Sequence, residues 1–480
     1  MTERTLTAPV SQAAPRSARA GLVLITILTC QLMLVLDITV MNVALPHIQV
    51  DLHFTPTGLS WVMSSYTLIF GCLLLLGGRA GDLFGRRRMF VVGVAVFTIA
   101  SLFAGLAQTA SWLIIARIAQ GLGAAAAGPN TLALITSTIS DAKARVRAFA
   151  LFSAMSSGGF AVGLIVGGLL TEIGSWRLGM FINVPFGIAV TVLARRFIAE
   201  PERNAARLDL PGAITSTLGV AGLVYGFVRA ASAGWGDPVV LTTLIGGALL
   251  VGLFLLVERR ATEPLLRLSL LADGNRARAY ANMFLGPMAM TSMFFFLTQF
   301  IQDVLGLKPL VTGFAFLPMA ASIFAVSRVM PRLLPRFGPK VLVTAGTGLM
   351  VIGLVWLTQL GVTSGYFPTL FGPLLLMGIG GGLGFSPLNV IIMSTVPVRD
   401  AGAAGGALQT MQQIGSSLGL AVLVTVFGRV SATAIAHHES AGQVLVSGMT
   451  SAYVVAAGCA VASFIVALTF RRQGNSERTA

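Results

Sequence analysis

Two ionisable side chains of opposite sign stand inside apolar runs of this chain. Asp37 lies in Leu36 to Pro46 (LDITVMNVALP), within a stretch from Gly21 to Ala44 that holds no other charge, and Arg117 lies in a later run near 112–135. About 20 apolar residues suffice to cross a bilayer as a helix, and an ionised Asp at the bilayer centre costs about 2.5–3.5 kcal/mol on insertion scales. Such a residue is expected to face a wet cavity or a partner charge, and the chemistry open to it is reversible protonation coupled to movement of a solute. At the helical rise, Arg117 sits roughly 9 Å in from one end of its run and Asp37 roughly 13 Å below the Pro46 end. If the two helices run in opposite directions, these depths nearly match, so a direct or water-mediated pairing is expected. Burial and the guanidinium would act on the protonation of Asp37 in opposite senses. The competing reading is an ion pair that only holds the two helices together.

The elements that must position these residues follow from composition. The 480 residues are 55% hydrophobic and 10% charged, with mean hydropathy +0.86, whereas soluble domains carry about 25% charged residues. The chain therefore reads as an all-α polytopic membrane protein. Apolar runs near 21–45, 57–78, 89–107, 112–135, 147–172, 178–198, 211–231, 239–257, 280–304, 310–330, 341–360, 367–394, 402–428 and 448–470 predict 14 transmembrane helices. With both termini on one side, nearly all of the 32 Lys and Arg fall on that side. Only Arg177, Arg229, Lys308 and Arg429 fall on the other, and Arg117 stays within a helix. This asymmetry predicts cytoplasmic termini. It also accounts for the net charge of +15 without a nucleic-acid partner. The run after Arg4, Arg16 and Arg19 is too long for a cleaved signal peptide and reads as a retained first helix. Cys30, Cys72 and Cys459 lie in apolar runs and form no disulfide or zinc pattern.

An internal repeat divides the chain. Gly123 to Pro129, followed by Ser137-Thr138-Ile139 and Asp141, has a counterpart in Gly381 to Pro387, Ser394-Thr395-Val396 and Asp400. Two six-helix bundles flanking an inserted helix pair are expected, a construction in which solute sites lie between halves near the midplane. The predicted divisions are a tail at 1–20, a bundle at 21–200, a linker with two inserted helices at 201–279, a second bundle at 280–470 and a tail at 471–480.

Between the second and third runs lies Gly78-Arg-Ala-Gly-Asp82-Leu-Phe-Gly85-Arg86-Arg87-Arg88. Gly78 would permit close helix approach, Gly85 a turn, and Asp82 would cap a helix start while pairing with the arginines. An ordinary positive-inside loop is the plainer reading. The spacing, however, resembles the G-x-x-x-D-x-x-G-R-R/K signature of the major facilitator superfamily, and other segments resemble its fourteen-helix drug:proton antiporters. These are Leu36 to Pro46, Arg117-Ile-Ala-Gln120-Gly121-Leu-Gly123-Ala124, Trp176-Arg177 with Asn183-Val184-Pro185-Phe-Gly187, Gln302 to Gly306 with Gly313 and Pro318, and Gly402 to Gly419. One motif departs. The helix 5 pattern G-x-x-x-G-P-x-x-G-G appears as Gly159, Gly163, Leu164, Gly167 and Gly168, with leucine in place of proline, and a small-residue packing face would explain the glycines equally well.

The resemblance covers essentially the whole chain. It implies a multi-pass transporter of the bacterial cell membrane that exports hydrophobic or amphipathic drugs or antibiotics by alternating access in exchange for protons. Asp37 and Arg117 would be the proton-coupling pair, and Gly78, Asp82, Gly85, Arg86 and Arg87 the conformational loop. The alternative is a proton-coupled uptake symporter or facilitator for a small metabolite, which the same fold permits. For a mixed apolar and polar cavity the sequence offers Tyr66, Phe294, Phe295, Gln299, Asn389, Gln409, Met411 and Gln413. The expected partners are a small hydrophobic solute, protons and the lipid bilayer, with a functional monomer. No cofactor or metal is expected: His437-His438-Glu439 lacks supporting ligands. Nor does a convergent catalytic set appear, since the histidines, at 47, 53, 437 and 438, all fall in outer loops.

Overall fold

The computed structural model describes residues 16–139, 141–200, 209–261, 264, 272–393, 396 and 401–471. Ser394, Thr395 and Asp400 of the repeat, most of both tails and much of the two linkers lie outside the described residues. Among the described residues every regular element is helical. In chain order they are α1 (Arg16–Asp51), α2 (Ser60–Phe84), α3 (Arg86–Gly105), α4 (Ala110–Thr138), α5 (Ala142–Ile173), α6 (Trp176–Phe181), α7 (Asn183–Phe197), α8 (Leu210–Ala233), α9 (Pro238–Arg260), α10 (Gly274–Gln299), α11 (Pro309–Ala315), α12 (Leu317–Leu357), α13 (Phe371–Met393), α14 (Ala401–Ala436) and α15 (Ala441–Leu468). Helices predominate because a chain this apolar must pair its backbone groups within each segment. Among the described residues, twelve stretches are long and apolar enough to cross a membrane.

The elements differ from the sequence reading in three places. The first helix continues through Pro46 to Asp51. Proline removes the donor to the Asn42 carbonyl, and the neighbouring Val43 carbonyl accepts from Gln302 Nε2 at 2.8 Å. The sixth run is divided at Ile182 into α6 and α7, although Ile182 keeps helical backbone (φ −58°, ψ −30°) and Trp176–Phe197 remains one apolar span. The tenth run is divided at Phe316 into α11 and the first part of α12, while the tenth and eleventh runs are parted, as expected, by non-helical backbone at Gly338 (φ 73°, ψ 161°) within α12.

Small residues set the crossings. Gly93 of α3 and Gly123 of α4 meet backbone to backbone, and Gly346 of α12 and Gly380 of α13 meet in the same way. These two crossings occupy matching places in the repeat. Gly159, Gly163 and Gly167 of α5 seat α1: a Cβ on each would meet Leu32, Thr39 and Val40 in turn. α8 packs on α9, α2 and α14. Val220, Val224 and Val228 lie against Leu68, Cys72 and Ala421, and Thr425 Oγ1 donates to the Phe227 carbonyl.

The amino- and carboxy-terminal halves meet along α2 and α14 and at the Pro46 end of α1, α5, α10 and α11. Gly168 abuts the backbone of Pro309 and Leu310, and Gly313 abuts the Leu164 carbonyl. Thr298 Oγ1 donates to Asn42 Oδ1 at 2.6 Å, and Lys308 pairs with Glu172 at 3.4 Å. Leu164, the residue that replaces the motif proline, therefore lies at a close crossing between the halves.

Candidate functional site

Asp37 and Arg117 are both wholly buried and in direct contact, Arg117 Nη1 donating to Asp37 Oδ2 at 2.5 Å. The site draws on five helices: α1 and α4, which carry the pair, and α2, α3 and α7. Asp37 Oδ1 accepts from Gln120 Nε2 of α4 at 2.9 Å and from Asn183 Nδ2 of α7 at 3.0 Å. Arg117 Nη1 also donates to Gln120 Oε1 at 2.9 Å, and its Nε donates to the Val62 carbonyl of α2 at 2.9 Å. Its guanidinium carbon lies 4.4 Å from the centre of the Tyr66 ring, a cation–π arrangement favoured where the cation is desolvated. Gln120 Nε2 reaches Ser101 Oγ of α3 at 2.8 Å.

The local sequence explains this convergence. Arg117 and Gln120, three apart, share one face of α4. The glycine face of α5 lets α1 approach closely beside Asp37, so the small-residue packing reading of those glycines holds in a specific place. Asn183, in the first turn of α7, faces inward and reaches Asp37. A buried pair is tolerated only when further hydrogen bonds satisfy its remaining lone pairs and protons, and here the carboxylate accepts three donors. Three polar atoms of the site have no protein partner among the described residues: Arg117 Nη2, Asn183 Oδ1 and Tyr66 Oη.

Sequence reasoning named Asp37 and Arg117 but gave no role to Gln120, Asn183 and Ser101. The signal for two of them was present, since Gln120 and Asn183 stand inside the family-like segments. Ser101 carried none.

The loop between α2 and α3 departs from its expected form. Gly85 does supply the turn, at φ 107°. Close helix approach falls to Gly77 and Gly81, whose added Cβ would meet the Ala125 carbonyl and Asn130, whereas Gly78 makes only an ordinary contact with Pro129. Asp82 caps no helix start. It lies in the last turn of α2 and pairs with Arg86, from Nε at 3.0 Å and Nη2 at 2.9 Å. The cap of α3 comes from Glu200, beyond α7, which accepts from the backbone N–H of Arg87 at 3.0 Å and of Arg88 at 3.2 Å. Three arginines open α3 at its positive dipole end, so a carboxylate is needed there and the first turn of α3 has none. Arg87 also donates to the Ile198 carbonyl at 3.1 Å.

Of the residues offered for a cavity, four are buried. Tyr66 lies beneath Arg117. Phe294 stacks between Phe160 and Phe316 where the halves meet, at centroid distances of 5.2 and 5.1 Å. Phe295 sits edge-on to Phe296, and Gln299 turns back to the Phe295 carbonyl. Asn389 is exposed, and Gln409, Met411 and Gln413 are partly exposed; Gln413 also touches Gly71 of α2. At the Pro46 end, Asp51 accepts from Trp176 Nε1 at 2.9 Å and Arg177 Nη1 at 2.5 Å, and Arg177 Nη2 bonds the Ala107 carbonyl at 2.9 Å. The Trp-Arg pair thus ties α6 to α1 and α3. Among the described residues no group of three His, Cys, Asp or Glu is arranged to hold a metal.

Many apolar helices around one buried ion pair and a glycine-anchored basic loop define a multi-span membrane transporter, and residues 27–420 match the model of the Major Facilitator Superfamily, to which the chain belongs. Solved transporters share the fold at low identity. A peptide transporter POT in complex with sulfate aligns at TM-score 0.68 and 13% identity over 95% of this chain and 98% of its own. A bacterial homolog to human lysosomal transporter Spinster, in inward-facing and unoccupied conformation, aligns at 0.64 and 16% over 96% and 98%.

Among the sequence relatives are resistance and export proteins. Puromycin resistance protein pur8 of Streptomyces alboniger is 40% identical over 91% of this chain and 88% of its own length. Cephamycin export protein CmcT of Amycolatopsis lactamdurans is 39% identical over 86% of each. Multidrug resistance protein Stp of Mycobacterium tuberculosis is 36% identical over 85% and 76%.

Proposed function

We propose that this protein is a proton-coupled exporter of hydrophobic or amphipathic antibiotics, working by alternating access, with Asp37 as the proton site and Arg117 as its counter-charge. The buried Asp37–Arg117 contact carries the reading, because an intramembrane charge pair with a single carboxylate is what exchange of a proton requires. Relatives named for puromycin resistance and cephamycin export support an antibiotic cargo and the outward direction.

The proposal includes fourteen spans. Pro309–Leu357 is 49 residues long, about 74 Å as a helix. That is more than twice the ~30 Å hydrocarbon core, and the chain turns at Gly338, so it supplies two. α5, with 32 residues, supplies one more. Basic residues then place both termini in the cytoplasm, and the 201–279 segment stands as an inserted pair between two six-helix bundles in a functional monomer.

In the cycle, a proton entering from outside neutralises Asp37, weakens its hold on Arg117 and favours opening toward the cytoplasm, where drug replaces it. A membrane potential contributes about 2.3 kcal/mol per charge per 100 mV, enough to bias an equilibrium between states a few kcal/mol apart. Gly78, Asp82, Gly85, Arg86 and Arg87 form the loop that moves with this change. Phe294, Asn389, Gln409, Met411 and Gln413 border the drug path.

The test is efflux of an intercalating dye from energised vesicles. Efflux should stop when the pH gradient and the membrane potential are both collapsed and be lost in Asp37→Asn. Efflux indifferent to this collapse, or undiminished in Asp37→Asn, refutes the proposal.

A further inference from the structure

Every side chain facing Asp37 is a donor. Arg117 Nη1 occupies Oδ2, and Gln120 Nε2 and Asn183 Nδ2 share Oδ1. This arrangement holds a carboxylate and has no acceptor for the O–H of a protonated acid. The other titratable groups nearby are Tyr66, from α2, and Cys30, on α1 itself. Neither bonds Asp37: among the described residues Tyr66 Oη has no hydrogen-bond partner and no hydrogen bond joins Cys30 to Asp37, whereas the Asn183 amide already lies at Asp37 Oδ1. If Asp37 cycles between charged and neutral forms, one of its three partners must change its own character.

Two of the three cannot do so at small cost. A guanidinium has only donors. Gln120 is held at both ends: its Oε1 accepts from Arg117 and its Nε2 also reaches Ser101. Turning its amide would set its NH2 against the Arg117 N–H. Asn183 is different. It is 1% exposed, its Nδ2 holds only Asp37, and its Oδ1 is buried with no partner at all. A buried amide oxygen left unpaired costs about 1–3 kcal/mol, and here it is retained beside a carboxylate. Rotating this amide by half a turn breaks no bond except the one to Asp37 and brings an acceptor to the same place.

We propose that Asn183 is the positioning residue that lets Asp37 stay paired in both protonation states: its amide N–H donates to the carboxylate, and after a half-turn its carbonyl accepts from the carboxylic acid. The proton goes onto Asp37 Oδ1, and no other bond forms or breaks covalently. The orphan oxygen is the acceptor held ready for the neutral form. The inference rests on the proton-site reading above.

Infrared difference spectra of the full chain in liposomes, taken on acidification, test it. Asp37 protonation should give a carboxylic acid carbonyl band that is absent in Asp37→Asn. With 13C-labelled asparagine, the same step should give a label-sensitive amide carbonyl band moving to lower frequency as Asn183 begins to accept. Asn183→Leu should lose the amide signal and shift the acid band upward, as for an unbonded acid, and Asn183→Gln should partly restore both. An acid band that forms with no label-sensitive change, or that is unmoved in Asn183→Leu, overturns this inference and leaves the proton site standing. Absence of any Asp37 acid band overturns the proton site itself.

Discussion

Removing the charge of Asp37 separates stability from transport. In Asp37→Asn, Arg117 keeps the Val62 carbonyl, Gln120 Oε1 and the Tyr66 ring but loses its only carboxylate. Both partners have no accessible surface, so solvent screens little of the loss. Breaking one side of a buried pair costs about 3–5 kcal/mol, and an asparagine that can still accept one bond from Arg117 places this variant near the lower end, at about 3 kcal/mol. Replacing Arg117 alone strands a buried carboxylate among two amide donors and should cost at least as much. Removing both charges relieves the stranded partner, so Asp37→Asn with Arg117→Gln should recover to within about 1–2 kcal/mol of the parent, as buried pairs do when both charges are replaced. Unfolding in mixed micelles measures all four proteins, and dye efflux from energised vesicles measures function in the same preparations. The expected outcome is a double variant that is stable yet cannot export against a gradient. A double variant no more stable than either single one would show that the pair does not dominate the local energetics. One that exports normally would remove the proton role.

Three further predictions concern the surrounding frame. Gly167→Val places a side chain against the Val40 backbone; overpacking of this kind costs about 1–3 kcal/mol, and because it pushes on the helix that carries Asp37 it should reduce efflux more than the equivalent change at Gly158, where nothing lies within 4 Å. Glu200→Ala removes the carboxylate that caps α3, with an expected loss of about 0.5–2 kcal/mol and faster proteolysis in the α2–α3 loop; Glu200→Gln should retain part of it, and equal protection in all three proteins would refute the cap. Gly85→Ala meets both a φ of 107° and the Glu200 carboxylate, so its thermal stability should fall by at least as much as that of Glu200→Ala.

How much was legible depended on the range of the interaction. The membrane class, the helical fold and the place of most helices follow from runs of apolar residues, because the need to pair backbone groups within each segment acts locally. The turn at Gly85 was legible for the same reason. The cap of α3 was not: Asp82 is close in sequence, but Glu200, more than a hundred residues away, is the carboxylate that reaches the free N–H groups. Gly78 was chosen from the motif spacing, whereas the angle between α2 and α4 decides that Gly77 and Gly81 bear the close approach. Tyr66 illustrates the limit for the cavity. Its type suits a drug site, yet packing places it under Arg117.

By itself the sequence determined that one carboxylate and one guanidinium would share a depth in the membrane, since helical rise and the direction of each run fix both heights. Tertiary structure decided everything lateral. Which helices are neighbours is set by glycine crossings such as Gly159, Gly163 and Gly167 against α1. Only that packing shows that Gln120, Asn183, Ser101 and Tyr66 complete the site. Depth is a property of a single helix, whereas a shell of partners around a buried charge belongs to five helices at once.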